Sequence, residues 1–442
     1  MDKGKSKRQS LGKYWGLSIA AGAGSILGSG LIVGLASTIT VFQTGLKLTN
    51  SQVGIISGAL TFAIAFGSIF GSRIADRVGI VGVFNWVNFM YAIGALICVI
   101  APGYWILLLG VVVAGVASGT DLPVSLAIIS RAAPDKKMAS EMVASTQIFW
   151  QAGQFVSTGA AFVVSTMSVT GGRIVFGLFA VIAAILWLWR TFSSSIRRIQ
   201  AEASQRLATR RANSAAKSAT PAQKISVSSV LFKGPNHKMY LRFFIPVLLY
   251  YVFWNFIANT WGQFTTFTLV KAGASQTLST GIGLGLHIAA LFILALYVTI
   301  AGTAKRNTWF AVGVVFALVA MGGLAIKGSD SVALIVAFML IWGVGSMLSG
   351  EAIYKVWTQE SFPEEVRASI QGFINGFSRF LCGLFAMVTP MLVLPGTIRM
   401  TMWGFVGVVI IFGVSGFTMI HYEKKYDMID DGTSDDEEKE EA

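Results

Sequence analysis

Apolar runs of about 20 residues, separated by short polar breaks, recur along almost the whole chain, the length at which a helix crosses a bilayer. They fall at Leu17–Phe42, Ser51–Gly71, Ile80–Ala101, Tyr104–Ile129, Ala139–Met167 and Ile174–Trp189. After a long polar stretch they resume at Leu241–Val270, Ser275–Ala301, Thr308–Ile326, Ser331–Trp357, Ala368–Leu394 and Thr401–His421. The pattern predicts an all-α membrane protein with twelve transmembrane helices in two six-helix halves. The parts are then a basic N-terminus (1–16), a first half (17–190), a basic linker (191–240), a second half (241–421) and an acidic tail (422–442).

Composition changes this picture little. Apolar residues make up 54% and charged residues 12%, about half the charge of a soluble domain. The 48 glycines suit membrane helices, which pack closely where small residues let backbones approach. Cys98 and Cys382 both sit inside apolar runs, so neither a disulfide, a metal site nor a cofactor is expected. The net charge of +13 suggests a nucleic-acid partner only until its distribution is seen. With both termini in the cytoplasm, roughly 28 of the 34 basic residues lie on the inner side, and Lys47, Arg173, Lys271, Lys327 and Arg399 lie outside. Short outer loops and the lack of an N-x-[ST] acceptor favour a prokaryotic plasma (inner) membrane. The segment Met1–Lys13 is basic but lacks a signal-peptide cleavage site, so the run after it reads as the first span. Arg197, Arg198, Arg206, Arg210, Arg211, Lys217 and Lys224 make the linker either an amphipathic helix on anionic lipid or a solvated connection. The tail, with Asp435, Asp436, Glu437, Glu438, Glu440 and Glu441, reads as disordered.

The halves carry a faint repeat after their fourth helices: Arg131-Ala-Ala-Pro134-Asp-Lys-Lys-Met138-Ala-Ser140 against Glu360-Ser-Phe-Pro363-Glu-Glu-Val-Arg367-Ala-Ser369. This makes the halves pseudo-symmetric, as in many secondary transporters. The loop after the second helix, Gly71-Ser-Arg-Ile-Ala-Asp76-Arg77-Val-Gly79, resembles the G-x-x-x-D-R-x-G signature of the major facilitator superfamily. Two more stretches resemble its sugar-porter and metabolite:proton-symporter branch: Gly115-Val-Ala-Ser-Gly119-Thr-Asp121-Leu-Pro123-Val124, and Glu360 to Gly372. The resemblance implies a major facilitator fold and a conformational latch at Gly71, Asp76, Arg77, Gly79, Glu360 and Arg367. The chain departs from the branch in several places. Arg131 and Met138 replace a glutamate and an arginine, Val111 stands where the fourth helix commonly has arginine, and the first helix has no acid. Proton coupling through a first-helix aspartate is therefore closed to it.

Ionisable groups inside hydrocarbon are costly and call for a partner or a task. Asp121 reads as a proton carrier, or as a carboxylate hydrogen-bonded near a helix end. Glu351 and Lys355 stand four residues apart, the spacing of an intrahelical ion pair, and Glu351 is a second proton candidate. Lys355 occupies the place where sugar porters carry a tryptophan, which would suit an acidic solute. Arg379 either grips an acidic group or neutralises Glu351 or Asp121. Gln147, Trp150, Gln151 and Gln154 on the fifth helix, Trp254, Asn255, Asn259 and Gln263 on the seventh, and Gln371 and Asn375 on the eleventh fit a polyhydroxylated ligand. The same amides would also serve as helix–helix hydrogen bonds. His287 reads as a packing residue or a second titrating group, and Trp105 and Trp261 as possible interfacial anchors. The sequence thus points to a monomeric secondary transporter, not an enzyme, for a sugar, polyol or sugar acid. It would work by alternating access, coupled to protons, among membrane lipids. An organic-anion carrier or exchanger using Lys355 and Arg379, and a non-transporting sensor, are the rivals.

Overall fold

A computed structural model describes residues 2–132, 136–194, 196–198, 201, 227–233, 235–301, 305–327 and 331–426. Most of the linker's basic residues, from Arg206 to Lys224, and the acidic tail lie outside these, as do the side chains of Asp76, Arg131, Met138 and Gln147. The first half holds α1 (Asp2–Gly45), α2 (Asn50–Val78), α3 (Ile80–Ile100), α4 (Tyr104–Ala132), α5 (Lys136–Val163) and α6 (Ser168–Phe192). A short π-helical turn (Ser229–Lys233) precedes the second half. There α7 (His237–Lys271), α8 (Gln276–Ala301), α9 (Arg306–Lys327), α10 (Val332–Leu348), α11 (Glu351–Ser361), α12 (Glu364–Leu392) and α13 (Ile398–Lys425) follow.

Eleven of the spans are long and apolar enough to cross a membrane. The fifth, α5, is long enough but too polar, because it carries the glutamines and hydroxyls of residues 146–158. It tolerates them because one face packs on α1: the Ser157 hydroxyl donates to the Gly30 carbonyl at 3.1 Å. The tenth span is two helices rather than one. Gly350, at φ −114° and ψ −141°, leaves helical geometry between α10 and α11. A side chain there would meet the Ser346 carbonyl at 2.0 Å and the Trp254 indole at 2.8 Å, so only glycine lets α7 press against the break. The carbonyls freed by the break are not left bare: the buried Tyr250 hydroxyl donates to those of Ser349 and Gly350.

Each half has its own apolar core, Leu27 to Leu186 in the first and Val230 to Ile420 in the second. Phe264, Phe267, Ala386 and Val393 of the second half join the core of the first. The halves are stitched together toward the end of the bundle where α1 ends and α2 begins. Gln276 at the start of α8 accepts from the Thr40 hydroxyl and donates to the Ser37 carbonyl, both at 2.7 Å. Ser165 and Thr277 share a hydrogen bond of 2.8 Å, and Gln263 donates to Thr61 at 3.1 Å. At the same end α2 lies directly on α12, where a Cβ on Gly54 would meet the Met387 carbonyl at 2.0 Å.

Candidate substrate and coupling sites

Asp121 and Arg190 form the most deeply buried charged pair. Their contact is 2.5 Å, with side chains 5% and 0% exposed. Arg190 spends its remaining donors on the Ala20 carbonyl of α1, at 2.7 and 3.1 Å, and the Phe84 carbonyl of α3, at 3.1 Å. Its guanidinium also lies 3.9 Å from the centre of the Phe84 ring. Ser125, one turn after Asp121, donates to the carboxylate at 3.2 Å. One guanidinium therefore ties together α1, α3, α4 and α6. The pair fits against α1 because residue 24 is glycine; a Cβ there would sit 1.6 Å from the Asp121 carboxylate. Asp121 thus has a cationic partner that sequence reading did not find, and that partner is not Arg379.

A second charged group lies on the second half. Lys355 and Glu351, one turn apart on α11, approach to 3.0 Å with 44% and 49% of their side chains exposed. A charged and exposed face on a spanning helix would be costly against lipid. The opposite face of α11 is buried. Tyr354 stacks on Tyr251 of α7 with ring centres 3.8 Å apart and donates its hydroxyl to the Gln371 carbonyl of α12. Tyr251 in turn stacks with Trp254. Arg379 of α12, part-exposed, donates Nε to the Asn375 side chain at 3.1 Å.

The amides divide into committed and free. Asn255 donates to Ser378 at 2.9 Å, and Asn259 accepts from Gln263, which also bonds Thr61. All three were expected to face a ligand; in this conformation Asn255 and Gln263 are tied to other helices, and Asn259 to Gln263 within α7. Gln151, Gln154 and Gln371 are part-exposed, and their side chains make no hydrogen bond among the described residues. Trp150 packs near Gly28 of α1. Trp254 and Trp261 line a mainly apolar cavity of about 480 Å³ together with Thr158, His287 and Trp342. Trp261, only 6% exposed, is an internal wall and not an interfacial anchor, whereas Trp105 is well exposed.

The latch residues fall at helix ends. Gly71 packs against Thr120 where α2 meets α4, Arg77 is exposed in the last turn of α2, and Gly79 joins α2 to α3 at φ 109°. Glu360 is clamped by Arg306 through two bonds of 2.8 and 2.5 Å, and Arg306 also stands 3.7 Å from Glu423 of α13. Arg367 donates to the Phe362 carbonyl at 3.2 Å. Arg306, like Arg190, escaped sequence reading because basic residues at the inner helix ends are already explained by topology.

The Major Facilitator Superfamily model matches residues 16–387. The chain belongs to this superfamily. Its function is accordingly the transport of a small solute across a membrane, and the family is one of carriers rather than enzymes. The chain is 26% identical over 379 residues to the minor myo-inositol transporter IolF of Bacillus subtilis, with 85% of this chain and 84% of that protein covered. The crystal structure of a D-xylose-proton symporter superposes with a TM-score of 0.69 at 14% identity, covering 92% of this chain and 96% of that one. The nucleoside transporter NupG superposes with a TM-score of 0.62 at 16% identity, covering 91% of this chain and 99% of that one. At these identities the solved structures establish the shared fold, in which all the spans predicted from hydropathy find their place.

Proposed function

We propose that this carrier moves a polyhydroxylated solute (a sugar, polyol or sugar acid) in symport with protons, through the plasma membrane of its cell with both termini in the cytoplasm. The observation that carries this reading is the broken tenth span. Helix breaks inside a bundle mark where membrane carriers hold their solutes. Here the break at Gly350 starts α11, whose exposed Glu351–Lys355 face borders the cleft. Unbonded amides on α5 and α12 supply donors and acceptors of the kind hydroxyls need. The likeness to a myo-inositol transporter over most of both chains supports the same class.

With the termini inside, the hydrogen bonds of Gln276, Ser165 and Gln263 lie on the outer side of the cleft, so this is an inward-facing state. Asp121 is the better seat for the coupling proton. It is shielded from water and held by Arg190 and Ser125, whereas the half-exposed Glu351–Lys355 pair is weak and solvent-screened. Alternating access then requires the outer contacts to break in each cycle. The Ser165 and Thr277 hydroxyls are 2.8 Å apart, so the double variant S165C/T277C should form a disulfide on mild oxidation. Counterflow of labelled myo-inositol in proteoliposomes should stop when it forms and return on reduction. Undiminished counterflow in the cross-linked protein would show that this end need not open.

A further inference from the structure

The charges around the cleft do not cancel. Glu351 and Lys355 are 3.0 Å apart and neutralise one another. Asp121 and Arg190 do the same inside the first half. Arg379 has no carboxylate within ion-pair distance among the described residues, and its one hydrogen bond runs through Nε to Asn375. Its two Nη groups, the fork with which arginine reads a carboxylate, therefore stay open on a part-exposed side chain. The arginine is also held in place. Asn375, one turn earlier on α12, fixes Nε, and the neighbouring Ser378 is tied to Asn255 of α7. A positioned guanidinium inside a membrane span, without a counter-ion of its own, is costly unless a ligand supplies one.

We propose that Arg379 is the specificity-determining residue and that the solute is a polyhydroxylated monoacid of the aldonate or uronate kind. Its carboxylate takes the two Nη groups. The proposal rests on the reading of the chain as a carrier of polyhydroxylated solutes and narrows it.

The test is counterflow in proteoliposomes with gluconate and glucuronate beside glucose and myo-inositol, for the wild type, R379Q and R379K. The wild type should exchange the acids at a KM about tenfold or more below that of the neutral solutes, as expected for a charge-assisted pair. R379Q should erase that advantage, raising the KM for the acids far more than that for the neutral solutes, and R379K should fall between, because an ammonium is a charge without a fork. Exchange of neutral solutes in preference to acids overturns the proposal and leaves the carrier reading intact. So does an equal loss for both classes in R379Q and R379K. Exchange of neither class overturns both.

Discussion

Replacing Arg190 by leucine should cost the folded carrier about 3–5 kcal/mol, the usual penalty for stranding one member of a buried ion pair. The reason is geometric. Asp121 keeps only the Ser125 hydroxyl when the guanidinium is gone, and the Ala20 and Phe84 carbonyls lose their additional donor. The helices that lose their tie are α1, α3, α4 and α6. Thermal unfolding in detergent should therefore show R190L melting well below the wild type. The double variant D121L/R190L should recover much of the loss, since it buries no lone charge. If R190L melts like the wild type, the pair is not holding the first half together.

Asp121→Asn should separate coupling from movement. Asparagine keeps the shape of the side chain and an oxygen to accept from Arg190, but it cannot carry the coupling proton. Accumulation driven by an inward proton gradient should fall to the equilibrium level, while counterflow exchange persists at a comparable rate. Accumulation that survives in D121N would remove Asp121 from the coupling step and turn attention to Glu351. Loss of both accumulation and exchange, with folding intact, would make Asp121 part of the moving machinery rather than the seat of the proton.

The helices were legible because their signal is local. An apolar run of sufficient length marks each span, although α1 runs on through the basic N-terminus to Asp2, well before its apolar run begins at Leu17. The break in the tenth span was less legible. Ser349-Gly350 interrupts an otherwise apolar run, but glycine is common in membrane helices and marks a break only when a partner such as Trp254 or Tyr250 presses on it. The site was partly legible for a different reason. Glu351, Lys355 and Arg379 stand out against hydrocarbon, and the structure pairs the first two on α11 and bonds the part-exposed Arg379 to Asn375 on α12.

What could not be read were partners distant in sequence. Arg190 meets Asp121 across 69 residues and Ala20 across 170, and nothing beside it sets it apart from Arg197 and Arg198 in the basic stretch that follows. Gln276 looked like a loop residue and proved to bridge the halves. Conversely, the amides of α7 looked like a ligand face. In this conformation Asn255 and Gln263 bond other helices, and Asn259 bonds Gln263 within α7, because Asn and Gln satisfy a neighbouring group as readily as a solute.

The central claim, proton-driven movement of a polyhydroxylated solute, is tested most directly by uptake into proteoliposomes holding the purified carrier, with an imposed proton gradient and a panel of labelled polyols and sugar acids. The account predicts that at least one of them accumulates above its outside concentration when the gradient points inward, and that collapsing the gradient with a protonophore returns it to equilibrium. Uptake that only equilibrates, at the same rate with or without the gradient, would contradict it and leave a facilitator whose buried Asp121–Arg190 pair serves structure alone.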